Sequence, residues 1–324
     1  MTKQDIKNEL LKNGDANYTD ISELLEKVPP PPWRDYTKDK RESEDIYIPI
    51  GDELEVLKAS IYLRRPILVT GKPGLGKSAL AKAVVKALDL GELLHWQITT
   101  DSTLKDALYS YDAIGRLQDI QLDEKNKKNI STKIESYLKL QALGTAFASK
   151  DKPKVLLIDE LDKSDVDLPN SLLHIFEEGY FEIPELKRLK GNDTRKIKTV
   201  DNEVVEIKKG KVPCTHFPIV IMTSNGERDF PPAFNRRCLH IELENPDKSK
   251  LIKIVKSNLG IDITEDDALL ELFDDKREEA DGNIATDQLL NAIFLRSKGI
   301  IKENDMDSLR DNELVEKIFR PLIG

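Results

Sequence analysis

Gly71-Lys72-Pro73-Gly74-Leu75-Gly76-Lys77-Ser78 reads G-x-x-x-x-G-K-[ST], a complete phosphate-binding loop, and its reading decides the fold. Just before it, Pro66 to Thr70 is a short apolar run rich in β-branched residues, as expected of a strand buried inside a parallel sheet. Just after it, Ala79 to Leu88 repeats Leu80, Val84 and Leu88, an apolar stripe on one helix face. Strand, glycine loop and helix in that order aim backbone N–H groups and the positive end of a helix at one spot. The ligand that suits such a spot is an anion. Gly71 to Ser78, with Ala79, is therefore the expected seat of nucleotide phosphates, Lys77 reaching the β- and γ-phosphates and the Ser78 hydroxyl holding Mg²⁺.

The chain has 324 residues, room for about two domains with a sizeable core. With 39% hydrophobic and 34% charged residues it has the composition of an ordinary globular protein on the polar side. No apolar run approaches the ~18 residues that span a bilayer, and Met1 to Leu11 alternates charges where a signal peptide needs an apolar core. The expectation is a cytoplasmic protein without membrane insertion. A net charge of −9 argues against general nucleic-acid coating. The two cysteines imply no disulfide framework. Cys214-Thr215-His216 and Cys238-Leu239-His240 invite a zinc reading, but their spacing is not that of zinc sites and both flank expected core strands.

Lys154 to Glu160, Lys-Val-Leu-Leu-Ile-Asp-Glu, is the second strong signal: an apolar strand ending in two acids, at the edge where open α/β sheets place their ligands. Asp159 suits Mg²⁺ and Glu160 suits the general base that polarises an attacking water. Phe217 to Met222 reads as another buried strand with the polar exit Thr223-Ser224-Asn225, and Asn225 is either a turn residue or a partner of the γ-phosphate or the attacking water. Arg236-Arg237 stands before the last strand, Leu239 to Leu243, as a solvated turn or as charge supplied to a nucleotide on a neighbouring subunit.

Around these signals, Thr2 to Lys27 reads as one or two short helices interrupted at Asn13-Gly14-Asp15. Pro29 to Pro32 with Trp33-Arg34 reads as an extended linker or a docking motif. Leu54 to Leu63 reads as a helix, Leu93 to Ile98 as a strand, Asp123 to Lys133 as a solvated loop, and Ile134 to Ala148 and Ser171 to Glu178 as helices. Residues Lys187 to Lys211 carry nine basic and four acidic side chains, leaving the rest of the chain at −14. Within them Ile197 to Val200 and Val204 to Ile207 read as a hairpin: a solvated one, a contact surface for an acidic partner, or a loop pointing into a pore. After Asn245-Pro246 the reading is helical throughout (Ser249 to Leu259, Glu265 to Phe273, Thr286 to Lys298, Asp311 to Ile318), with Asp262 to Asp281 as a solvated face.

The phosphate loop, Leu156 to Glu160, Asn225 and Arg236-Arg237, in this order and followed by helices, resemble the AAA+ ATPases. Within that class the chain is similar to the MoxR family. The phrases that carry this are Arg64-Arg65-Pro66, Asp159-Glu160-Leu161-Asp162-Lys163, Pro169-Asn170-Ser171-Leu172-Leu173 and Glu178-Gly179-Tyr180-Phe181-Glu182-Ile183-Pro184-Glu185, with Ser102 to Gln118 and Lys187 to Lys211 lying where that clade carries its inserts. The resemblance runs from about Tyr47 to the C-terminus. It implies an α/β P-loop NTPase with a five-stranded parallel sheet over residues 35–245 and a small α-helical lid over 246–324, while the N-terminal helical and Pro-rich segment, 1–34, lies outside it. It implies ATP and Mg²⁺ as ligands and a homo-oligomeric ring, commonly hexameric. Lys77, Ser78, Asp159 and Glu160 of one subunit would then meet an arginine finger of the next, Arg237 with Arg236 as its neighbour. The protein partner it suggests is of von Willebrand factor A type.

The family usually carries a second sensor arginine at the start of a lid helix, where this chain reads Ile284-Ala285-Thr286-Asp287-Gln288. The leading expectation is an ATP-driven remodeller of a protein partner, and the alternative is a slow nucleotide-dependent switch or scaffold in a bacterial defence or signalling system. A DNA-acting motor rests only on the basic hairpin. A small G protein is disfavoured, because Asn126-Lys127-Lys128-Asn129 lacks the aspartate of a guanine-reading N-K-x-D.

Overall fold

The computed structural model describes residues 3–13, 16–35, 53–126, 133–189 and 194–321. Gly14, Asp15, Tyr47, residues 127–132, Lys190 and Asp193, which bear on several readings above, lie outside them. The chain falls into two compact units: Pro49–Gly71 with Lys77–Leu243, and Met1–Ile48 with Lys72–Gly76 and Glu244–Gly324.

The first unit is built on five strands, β1 (Ile67–Thr70), β2 (Leu94–Gln97), β3 (Val155–Asp159), β4 (Ile219–Ser224) and β5 (Leu239–Glu242). They pair in the order β5-β1-β4-β3-β2, every pairing parallel. The three middle strands bury both faces, with Ile67, Val69, Val155, Leu156, Ile158, Val220, Ile221 and Met222 fully enclosed, which is why each reads as an unbroken apolar run. The helix Lys77–Leu88 buries Leu80, Ala81, Val84 and Val85, while Leu88, expected on that stripe, is exposed.

A second sheet of six strands follows the order Tyr109–Tyr111, Leu138–Leu140, Thr194–Lys198, Val204–Lys208, Lys211–Pro213, Tyr180–Glu182. Ile134 to Ala148 is thus not one helix. Ile134–Tyr137 is a single 3₁₀ turn, Leu138–Leu140 a strand with both leucines buried, and Ala142–Ala148 the helix. The Leu-Lys-Leu alternation takes the strand because Tyr109–Tyr111 offers an antiparallel partner. The expected loop from Asp123 begins instead as the end of the helix Ala113–Asn126.

The basic hairpin forms as expected, with one face exposed and the other packed through Ile197 and Ile207, and its turn is anchored. Its turn, Thr199 to Glu203, is pinned by Lys154, whose Nζ lies 2.8 Å from Asp201 Oδ2 and 3.3 Å from Glu203 Oε1. The Val200 amide also donates to Thr145 Oγ1 at 3.2 Å. These contacts tie the base of the turn to the unit, while Asn202 and Glu203 stay exposed.

The second unit packs the helices Lys248–Leu259, Ala268–Glu279, Thr286–Ser297, Met306–Arg310 and Glu313–Ile318 around Leu251, Val255, Phe273, Leu289, Ile293 and Phe319. Asp247, Asp267, Asp305 and Asn312 cap four of them by accepting from backbone amides. The Asp262 to Asp281 stretch is more than a solvated face, because Ala268–Glu279 buries Leu269, Leu270, Leu272, Phe273 and the Arg277 guanidinium. At the other end of the chain, Lys3–Leu10 and Ile21–Lys27 are helical, and Trp33 lies edge-on to Phe294 at 6.4 Å. Among the described residues no helix is long and apolar enough to cross a membrane.

Candidate nucleotide site

Because β1, β4 and β3 are neighbours and parallel, the residues leaving their carboxyl ends stand in a row. Gly71 leaves β1, Asn225 leaves β4, and Asp159 and Glu160 close β3. This is the edge at which open parallel sheets bind ligands.

The loop itself turns through Gly71, Gly74 and Gly76, all at positive φ (146°, 79° and 83°). Side chains rarely adopt such values, and at Gly74 a Cβ would also collide with the Ala285 side chain. Lys77 Nζ donates to the Gly71 carbonyl at 2.6 Å, folding the loop back on itself, and the lysine is buried. Burial pulls its ammonium below the ordinary lysine range, against the attraction of Asp162, Asp159 and Glu160. Three left-handed glycines, a buried cation and the first turn of a twelve-residue helix make a cradle that fits a polyphosphate.

Ser78 Oγ donates to both Asp159 oxygens, at 2.9 and 3.1 Å. Thr223 Oγ1 donates to Asp159 Oδ1 at 2.5 Å and accepts the Glu160 amide at 2.8 Å. His95 Nε2 lies 3.4 Å from Asp159 Oδ2. Burial works to raise the Asp159 carboxyl, but hydrogen bonds from His95, Thr223 and Ser78 outweigh it and hold the group below its usual range. An ionised carboxylate beside a serine hydroxyl is a donor set that suits a divalent cation such as Mg²⁺.

Glu160 takes a left-handed backbone conformation, φ 60° and ψ 48°, unusual for a side chain other than Asn or Asp. Its Oε2 accepts from Gln97 Nε2 at 2.7 Å and from Lys163 Nζ at 2.8 Å. Asp162 is buried, accepts the amides of Asn225 (2.8 Å) and Glu227 (3.2 Å) on Oδ2, and has an unpartnered Oδ1. Sequence reasoning missed Gln97, Thr223, His95 and Asp162 as part of this cluster. Gln97 stands in register with Asp159 on the adjacent strand, a signal available only once strand order is known.

The arginines are not brought to this edge. Arg236 and Arg237 precede β5, at the amino edge of the sheet, where Arg65 holds both their carbonyls through its Nε and Nη2. A four-residue strand separates the two edges by about 13 Å. Arg237 pairs with Glu177 and donates to the Ala233 carbonyl at 3.3 Å, whereas the Arg236 side chain is exposed and has no polar partner among the described residues.

In the helical unit, Lys72 Nζ donates to the Asp281 carbonyl, and the helix Thr286–Ser297 starts beside Gly74 with Ala285 and Asp287. No arginine stands there. Arg296 is held by Asp267 at 3.0 and 2.5 Å, and Arg277 by the Pro246 carbonyl and Asp274.

Among solved structures, the chain is similar to a candidate ATPase from Cytophaga hutchinsonii at 13% identity, covering 88% of this chain and 93% of that one with a TM-score of 0.39. It is also similar to NtrX from Brucella abortus in complex with ADP at 15% identity, covering 84% of this chain and 56% of that one with a TM-score of 0.43. Likenesses this distant carry no functional argument. No curated protein matches the sequence. Residues 66–238, more than half of the chain and the whole span from β1 to the arginine pair, match the AAA domain of the dynein-related subfamily, and the chain belongs to that family.

Proposed function

We propose that this protein is an Mg²⁺-dependent ATPase of MoxR type that works as a homo-oligomeric ring, commonly a hexamer, and remodels a protein partner, the MoxR resemblance suggesting one of von Willebrand factor A type. The observation that carries the ATPase reading is the row Gly71, Lys77, Ser78, Asp159 and Glu160 along one sheet edge, with an ionised Asp159 and a buried Lys77. Lys72 to Ala79 would hold the phosphates, and Ser78 and Asp159 the cation. Bound Mg²⁺ neutralises charge on the phosphate oxygens. Glu160 accepts a proton from the attacking water, and Asn225 positions that water from the end of β4. Residues 35–245 form the catalytic domain, 246–324 the lid, and 1–34 an appended segment.

The finger would come from another subunit, a reading supported by the place of both arginines at the opposite edge of the sheet from their own loop. Arg237 is the proposed finger with Arg236 as its neighbour, and Arg237 would exchange its half-exposed ion pair with Glu177 for the nucleotide of the next subunit. The test is hydrolysis per protomer against protein concentration, with Glu160→Gln and the double variant Arg236→Ala/Arg237→Ala. The rate rises with concentration, each variant loses about 10²-fold or more, and mixing the two restores activity because intact sites re-form between unlike subunits. A flat rate, or a mixture as dead as its parts, rejects the shared site.

A second reading, a slow switch or scaffold, is favoured by one observation: the Glu160 carboxylate is tied to both Gln97 and Lys163. Under it, wild type turns nucleotide over slowly, and Gln97→Ala accelerates hydrolysis.

A further inference from the structure

The basic insert has no role in the site above. Its strands Thr194–Lys198, Val204–Lys208 and Lys211–Pro213 form an antiparallel meander that continues onto Tyr180–Glu182. Against the short helix Pro184–Lys187 it encloses a groove of about 610 Å³. The floor is apolar: Leu186, Ile207 and Val212 are buried there, with Leu189 and Val205 half-buried. The rim carries Lys150, Lys187, Lys208, Lys209 and Lys211 against only Glu182 and Glu206.

The lysines are held in place by the fold. The chain joins the second and third strands through Lys209-Gly210, both at positive φ (53° and 71°), with Lys208 opposite Lys211, a two-residue hairpin turn of the primed type. Asparagine or glycine fills the first of those positions with less strain than lysine does. Gly210 is obligatory, because a Cβ there would press on the Ile183 carbonyl and the Lys187 amide, and its own carbonyl accepts from Ile183 N at 2.7 Å. Of the five lysines, Lys187 pairs with Glu182 at 2.6 Å and Lys211 lies over the Tyr180 ring at 3.7 Å. The side chains of Lys150, Lys208 and Lys209 are exposed and, among the described residues, have no carboxylate partner.

We infer that this groove binds an acidic, leucine-bearing peptide segment of a protein partner, the carboxylates meeting Lys150, Lys208 and Lys209 and an aliphatic side chain entering between Leu186, Leu189 and Val212. Charge complementarity selects the occupant: four of the five rim lysines lie in one insert of a chain whose net charge is −9. The volume suits a few side chains, within the ~300–1,000 Å³ of ordinary ligand pockets. Nucleic acid fits less well, since the floor is apolar and carries no aromatic face on which a base could stack. The inference rests on the remodelling reading for its purpose but not for its measurement, because peptide binding needs no nucleotide.

The experiment is a fluorescence-anisotropy titration of the full chain, nucleotide-free, with a fluorescein-labelled ten-residue peptide alternating glutamate and leucine. Beside it run a glutamate–serine peptide, a lysine–leucine peptide and a single-stranded oligonucleotide of matched charge. The glutamate–leucine probe binds, its affinity falls with salt, and Lys208→Glu/Lys209→Glu weakens it at least about tenfold while hydrolysis is retained. Leu189→Asp weakens it as well. No binding, equal binding of the serine peptide or the oligonucleotide, or indifference to the charge reversal each overturns the inference. Loss of hydrolysis with peptide binding kept would instead strike at the ATPase reading alone.

Discussion

Lys77 is the residue at which function and stability pull apart. Its ammonium is buried and held below its usual range by desolvation, so the charged form is worse off in the folded chain than in the unfolded one. Lys77→Met is therefore expected to abolish binding of a fluorescent ATP analogue while its thermal midpoint equals or exceeds that of wild type; a lower midpoint in calorimetry refutes this account. Asp162 acts in the opposite sense. Asp162→Ala leaves the amides of Asn225 and Glu227 without their acceptor, at about 1–3 kcal/mol for each group that water cannot reach. Urea unfolding measures that loss. Lys77, Ser78, Asp159 and Glu160 were legible because each stands at a fixed offset from a glycine or from the end of an apolar run. Gln97 and Thr223 were not, because what they touch depends on which strand lies beside which. The resemblance offers Arg237 with Arg236 as its neighbour, and no count along the chain foresees Glu177 across from Arg237.

At the scale of elements, the meander turn depends on one buried ion pair. Lys154 and Asp201 are 10% and 7% exposed, and the hydrogen bonds between them work against burial in both groups, holding the aspartate low and the lysine high. Asp201→Ala leaves Lys154 with only the exposed Glu203, so it costs up to about 3 kcal/mol, and the double variant Lys154→Met/Asp201→Leu recovers most of it. A double-mutant cycle in urea checks this, and additive losses would reject the pairing. The hairpin was legible from its alternation and its Asp-Asn turn, but its anchorage was not, since Lys154 lies 47 residues away in sequence. Leu138–Leu140 was missed for a related reason. Three residues are too few to show a period, and only the partner strand makes them β.

For the whole molecule, the ionised carboxylates set the acid limit. Asp159, Asp201 and Glu185 all titrate below their ordinary values because hydrogen bonds favour their charged forms more than burial opposes them. A depressed carboxyl contributes stability that is complete above its unfolded pKa and lost as pH falls through the folded one. The urea midpoint is thus expected to hold from pH ~7 to ~5 and to fall steeply below ~4; a midpoint unchanged at acid pH would refute it. The sheet order has a temporal cost. Both neighbours of β1, β4 and β5, are encoded far downstream of it. A ribosome adding roughly 5–20 residues per second needs about seven to thirty seconds to cover the ~150 residues between β1 and β4. Through that interval the nascent chain holds Ile67, Leu68 and Val69 with neither strand edge paired, a window in which chaperone capture or misassociation competes with completion of the sheet.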